Sequence, residues 1–250
     1  MEPLLTHEGR LLEGTVVDRP NRFVVRVRFD DGAGEDGGDA DGSAADPARA
    51  YLADPGALAV LRPGRTVLCS PVDDPDRATD YDAIAVDADG TYVSLRAVLA
   101  NDLFERALAR DALPAFAGYA VERREPPLPD HGRTDFRLET PDGDPAYVEV
   151  KSCTHVEAGV GKFPDRQTER GRRHLRSLRG LVEAGHEAHL TFVVQRPDVT
   201  RVRPFRAVDP AFADRLAEVR AAGVGVHAIA VAFDPPHFRL ADAAVPVELV

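Results

Sequence analysis

Hydrophobic and polar residues alternate with period two through the first ninety positions and then change rhythm. Strand-like runs occur at Arg10–Val17, Phe23–Phe29, Thr66–Ser70, Tyr81–Val86 and Thr91–Leu95, each bounded by Pro, Gly or Asp. From Arg96 to Arg110 the spacing becomes helical, with Leu99, Leu103, Phe104, Ala107 and Leu108 on one side. Further strands are predicted near Tyr119–Arg124, Arg133–Glu139, Ala146–Cys153, Ala188–Gln195 and Gly225–Ala232. Helices are expected at about Gln167–Ala184, where Leu175, Leu178, Leu181 and Val182 share a stripe, and at Pro210–Ala222. The order αβββαβ with a later αβ unit predicts a mixed sheet flanked by helices. The chain therefore divides into 1–95 and 96–250, an α+β protein.

Five short strands in so few residues suit a small β-barrel of the OB-fold type, a common oligonucleotide reader, although a β-sandwich fragment has the same pattern. Within 96–250 a single hairpin can be drawn in full. If Pro141-Asp142-Gly143 is a three-residue loop with Gly143 left-handed, Thr140 pairs with Asp144. Counting back places Asp135 opposite Glu149. Alternation then puts Glu149 and Lys151 on one face and Val148 and Val150 on the other, with Thr134, Phe136 and Leu138 as the matching apolar face. Lys151 is one of only two lysines, the other being Lys162; arginine carries nearly all the basic charge. A lysine amine is a compact donor with a tunable pKa, which arginine is not. Two carboxylates and an ammonium on one side of a hairpin form an arrangement able to hold a divalent ion beside a phosphate.

Composition changes the picture in three places. No run approaches the ~20 apolar residues of a membrane span, and the N-terminus lacks a signal-peptide pattern. Cys69 and Cys153 have no metal-ligand spacing and read as buried reduced thiols, so a cytoplasmic, non-membrane protein is expected. Net charge is −11, but seven of the acids fall between Asp30 and Asp46 with no basic residue among them, which reads as a solvated, mobile acidic insertion in the barrel. Scarce lysine and abundant aspartate point to a salt-loving organism. In molar salt the Debye length is ~3 Å or less, so distant acidic charge does not exclude a polyanionic partner.

Several runs then carry a family resemblance: Ala100-Asn-Asp-Leu103, Tyr147-Val-Glu-Val-Lys151, Phe163-Pro-Asp-Arg-Gln-Thr-Glu-Arg-Gly-Arg-Arg-His-Leu175 and Phe192-Val-Val-Gln-Arg-Pro-Asp198. They resemble the sugar fermentation stimulation protein (SfsA) family, of haloarchaeal type, over nearly the whole chain. The resemblance implies an N-terminal OB-fold and a C-terminal restriction-endonuclease-like domain similar to PD-(D/E)XK nucleases. It also implies DNA binding and a link to sugar, notably maltose, metabolism. By that likeness Asp135, Glu149 and the backbone carbonyl of Val150 would ligate Mg²⁺ or Mn²⁺, and Lys151 would orient a water or neutralise developing charge. One departure stands out. A Pro-Asn-Thr-Gly-Arg-like motif is usual near the barrel, and here Ala53-Asp54-Pro55-Gly56-Ala57 leaves Ala57 where an arginine is expected.

Around this core the residues suggest further roles. Glu105 lies on the inner boundary of its helix, either as an outer carboxylate of the site or paired with an arginine. Gln195 and His174 are candidates for polar support. Arg166, Arg170, Arg172, Arg173 and Arg176 crowd one helix and Arg133 precedes the hairpin; they suit phosphate contact, with a solvated helix face as the rival. Gly171 inside that helix costs ~1 kcal/mol against alanine and hints at close approach by backbone or ligand. Gly159-Val-Gly-Lys162 looks like a fragment of a P-loop, but Phe163 stands in place of Ser/Thr. The functions expected are DNA binding with Mg²⁺-dependent phosphodiester hydrolysis, or non-catalytic DNA-binding regulation of sugar metabolism, with RNA as another polymer. Nothing suggests sugar binding, since tryptophan is absent.

Overall fold

The computed structural model describes residues 2–29, 46–54, 60–128 and 132–249. Residues 30–45 of the acidic insertion and Pro55–Ala57 lie outside them. The chain begins with β1 (Leu5–Thr6) and then builds a barrel from β2 (Leu12–Asn21), β3 (Val24–Phe29), β4 (Ala48–Tyr51), β5 (Thr66–Pro71), β6 (Tyr81–Asp87) and β7 (Tyr92–Ser94). Their order is β4-β3-β2-β5-β6-β7, and the parallel pairing of β4 with β6 closes five strands on themselves. This decides for the OB barrel over the open sandwich. Alternation works as expected: Val25, Val27, Ala50, Val67, Cys69, Ala83 and Val86 fill the inside.

The second domain contains α1 (Ala100–Leu108), β8 (Ala120–Arg124), β9 (Phe136–Glu139), β10 (Pro145–Cys153), β11 (Val156–Glu157), β12 (Val160–Phe163), α2 (Glu169–Glu183), β13 (Glu187–Val194), β14 (Arg201–Pro204), α3 (Pro210–Ala221), β15 (Gly225–Asp234) and β16 (His237–Asp242). Seven strands form one mixed sheet in the order β1-β16-β15-β13-β10-β9-β8, parallel at its centre and antiparallel toward both edges. The predicted strands and helices are all present, within a few residues. Four short strands were not foreseen: β4 in the barrel, and β11, β12 and β14, which make a small separate sheet. The P-loop-like run sits on the β11–β12 hairpin, not on a strand-to-helix turn. Also unforeseen was β16, and β1 crosses from ahead of the barrel to pair with it.

Each sheet face buries a different set of partners. On one face Phe136, Leu138, Val148, Val150 and Ile229 pack against Leu103, Phe104 and Leu108 of α1 and against Leu68 and Ile84 on the barrel wall. On the other, Leu190, Phe192, Ala228 and Ala230 meet Leu175, Leu178 and Leu181 of α2 and Phe212, Leu216 and Val219 of α3. α2 starts at Thr168, whose hydroxyl accepts from the Gly171 amide at 2.9 Å, a cap that stabilises by about 1 kcal/mol. A Cβ on Gly171 would lie 2.7 Å from Thr168 Cγ2 and 3.3 Å from the Phe212 ring. The close approach is made by the capping side chain and by Phe212 of α3. Cys69 and Cys153 are free and buried, and burial pushes both thiols up to about 12. No helix among the described residues is long and apolar enough to cross a membrane.

Candidate active site

The β9–β10 hairpin has the loop drawn from the sequence. Gly143 is left-handed (φ +86°), the Thr140 amide donates to Asp144 O at 2.9 Å, and the Gly143 amide returns to Thr140 O at 2.9 Å. Glu139 pairs with Pro145 and Phe136 with Val148, a register that carries Asp135 to Glu149. Asp135 sits in the bend just before β9. Its Oδ2 accepts from the Val150 amide at 2.7 Å and its Oδ1 from Asn101 Nδ2 on α1 at 3.0 Å. Thr134 anchors the bend by donating to Val148 O at 2.8 Å.

Glu149 and Lys151 lie on the α2 side of the sheet, opposite the packed Val148 and Val150. Glu149 is 2% accessible, while Lys151 and His174 are only half-buried above it. Lys151 Nζ and His174 Nδ1 both bond Glu149 Oε1, so Oε2 has no protein donor among the described residues. Burial pushes the Glu149 carboxyl up, but the His174 bond and the Lys151 charge outweigh it and hold the group below its ordinary value. Asp135 goes the other way: burial, then the negative charge of Glu149, push it up against the bond from Val150 and the charge of Lys151. A carboxyl that burial and its neighbour's charge push up, beside another with an oxygen open, makes a place that a cation favours.

These donors fit a hard divalent ion. Mg²⁺ keeps several waters and takes few protein oxygens, so two carboxylates and the Val150 carbonyl are a sufficient share. No group of three or more His, Cys, Asp or Glu is placed to hold a metal among the described residues, which limits the protein's contribution to that small set.

The other positions singled out in the sequence divide sharply. Glu105 lies one turn along α1 from Asn101, the residue that bonds Asp135, and is paired with an arginine. Arg124 takes both its oxygens, also pairs with Asp102 at 2.7 Å, and lies over the Phe136 ring. Gln195 is a strut between the two domains: Nε2 donates to Ser152 Oγ at 2.9 Å and to Arg96 O at 3.1 Å, and its backbone carbonyl receives the Ser94 amide. Arg172 is engaged within the protein: Nη1 sits 2.7 Å from both oxygens of the buried Asp209, the cap of α3. Arg176 is held at 3.3 Å from Glu169, and Arg133 at 3.3 Å from Glu125, with both partners of each pair on the surface. Arg166, Arg170 and Arg173 are exposed and make no ion pair with any described residue. They are the arginines of the predicted row that remain available to an anion.

Sequence reasoning missed Asn101. Its run, Ala100-Asn-Asp-Leu103, carried the family likeness but no chemical pattern; only the docking of α1 brings its amide to Asp135. His174 was foreseen as polar support, and the structure makes it a direct partner of Glu149.

Comparison with known proteins accords with this architecture. Residues 17–95 match the SfsA N-terminal OB domain and residues 98–237 the sugar fermentation stimulation protein RE domain. A sugar fermentation stimulation protein homolog of Moorella thermoacetica is 38% identical over 229 residues, covering 91% of this chain and 92% of the relative. Another from Chloroflexus aurantiacus is 38% identical over 255 residues, covering 98% and 92%. Among solved structures, that of Pyrococcus furiosus SfsA in complex with Ca²⁺ superposes with a TM-score of 0.83 at 26% identity, covering 99% of this chain and all of that one. The chain belongs to the sugar fermentation stimulation protein family.

Proposed function

We propose that this protein binds DNA and hydrolyses its phosphodiesters with Mg²⁺ or Mn²⁺ held by Asp135, Glu149 and the Val150 carbonyl. The observation that carries this reading is the pairing of buried Glu149 with half-buried Asp135, whose carboxyl is pushed up by burial and then by its neighbour's charge, with the rare Lys151 at the rim. The Ca²⁺ complex of the Pyrococcus relative supports it, because Ca²⁺ takes the same hard oxygen ligands. A bound divalent ion supplies polarisation of the phosphate and a water of lowered pKa. Lys151 donates to the oxygen that gains negative charge as the phosphate is attacked. His174 and Asn101 orient the two carboxylates. Arg166, Arg170 and Arg173 attract the backbone along α2.

The test is incubation with plasmid, single-stranded DNA and RNA in concentrated KCl, with Mg²⁺, Mn²⁺ or EDTA. Metal-dependent cleavage that disappears in Lys151→Ala is expected. No cleavage under any metal and substrate sinks the enzyme reading. A second reading is then favoured by one observation: Lys151 and His174 already bond Glu149 from within the protein. On that reading the carboxylates are structural and the protein is a non-catalytic, cytoplasmic DNA-binding regulator of sugar metabolism.

A further inference from the structure

The large hydrophobic side chains exposed among the described residues are Phe23, Tyr51 and Val98, at 40, 38 and 62% accessible. They gather at one place. Tyr51 and Val98 line a groove of about 500 Å³ on the outside of the barrel, together with Val24, Arg77, Asp82 and Arg96. Phe23 stands beside it, its carbonyl accepting the Leu52 amide at 2.8 Å.

Strand register builds the floor. Val24 pairs with Tyr51 across β3–β4, and Tyr51 pairs with Asp82 across β4–β6, giving a row over three strands. Val25, Ala50 and Ala83, one step along each strand, fill the barrel interior, so Tyr51 and Asp82 face outward. Asp82 fixes both cations of the groove, Arg77 at 2.6 Å and Arg96 at 2.9 Å. The Arg77 guanidinium lies 5.4 Å from the centre of the Tyr51 ring, and that of Arg22 lies 4.6 Å from Phe23. Two arginines against one carboxylate leave the groove's lining positive in a chain of net charge −11.

We infer that this groove takes the unpaired bases of a single-stranded nucleic acid, one stacking on Tyr51 while its phosphates meet Arg77 and Arg96. An aromatic face accepts any base, guanidinium forks suit phosphate oxygens, and the volume matches one or two nucleotides. Bases inside a duplex are already stacked on each other and cannot reach the ring. Val98 precedes α1 by two residues, and Asn101 on α1 bonds Asp135. A strand seated here thus lies along the same connection that supports the carboxylate site. The inference deepens the nucleic-acid reading above by naming single strands, and it does not depend on metal or cleavage.

The test is anisotropy titration of the full chain, in EDTA, with labelled dT20, rU20 and a 20-base-pair duplex. Either single strand should bind more tightly than the duplex, and the two single strands together show which sugar is preferred. Tyr51→Ala should weaken single-strand binding about tenfold, the loss of one stacked base, while Tyr51→Phe retains it. Tyr119→Phe, outside both the groove lining and the carboxylate hairpin, should bind as wild type, which controls for a general effect of substitution. An iodouracil-substituted strand irradiated with the wild-type protein should yield an adduct on Tyr51, so the result stands even where a variant folds poorly. Tyr51→Ala binding dT20 and rU20 as tightly as wild type, a duplex bound best, or adducts that all map elsewhere would overturn the inference.

Discussion

Two polar clusters, each with one buried member, interrupt the central sheet on opposite faces, and they meet the cost of burial in opposite ways. Around Glu149 the charges are retained: an ammonium and an imidazole crowd one carboxylate oxygen, and a second carboxyl is pushed up beside them. On the α1 face, His189 Nδ1 and His227 Nε2 lie 3.1 Å apart, His189 Nε2 meets Glu187 at 2.9 Å, and Tyr119 donates to the same Glu187 oxygen at 2.6 Å. There the positive charge of the imidazoles is removed. Burial lowers both imidazoles, and His227 falls to about 4 under burial and the neighbouring His189 and Arg220. The Phe116 ring packs edge-on against both. A polar cluster whose imidazoles are kept neutral beside an exposed carboxylate is complete in itself, whereas one that holds an ammonium and two carboxyls around an open oxygen has chemistry left to do.

The contrast breaks most visibly at Lys151. Lys151→Ala should lower metal-dependent hydrolysis by about 10²–10³-fold, read as initial rates on a labelled strand; a rate near wild type would make the charged cluster as inert as the histidine one. The next effect is on acid stability. Folded His227 binds its proton only near pH 4, whereas the unfolded chain binds one near 6.5, so acidification through that window favours the unfolded chain. Stability should be complete above pH 6.5 and fall by about 3 kcal/mol toward pH 4, and His227→Gln should flatten that limb in urea titrations. Mn²⁺ at a hundredfold excess over its Kd should raise wild-type stability by about 2.7 kcal/mol. Asp135→Asn should abolish that gain in thermal melts, while His227→Gln should keep it. The smallest effect expected is from Tyr119→Phe, about 1 kcal/mol for one hydrogen bond, with cleavage unchanged.

What could be read from the chain was what local rules decide. The 140–144 loop fixed the hairpin register, and that register alone aligned Asp135 with Glu149 and put Lys151 on the same side. The strand and helix periods located most elements because each buries one face. What escaped depends on contacts between distant segments. β12 pairs with β14 some forty residues on, through runs too short to carry a period. Arg172 resembles its exposed neighbours until α3 docks and presents Asp209. Glu105 is half-buried at the boundary of its helix, and the arginine that pairs with it comes from β8, a segment no local pattern brings near. Asn101 has no pattern of its own.

The pairing of β1 with β16 has a mechanical consequence. Strands encoded before and after the barrel meet in one sheet, so the barrel is tethered at both ends as an excursion from that sheet, with Gln195 bracing its exit. A module hung on one linker swings; one clasped at entry and exit holds its orientation. The distance from Tyr51 to the carboxylate hairpin is thereby set as a ruler, and cutting the peptide ahead of β2 should loosen the gauge without touching either site.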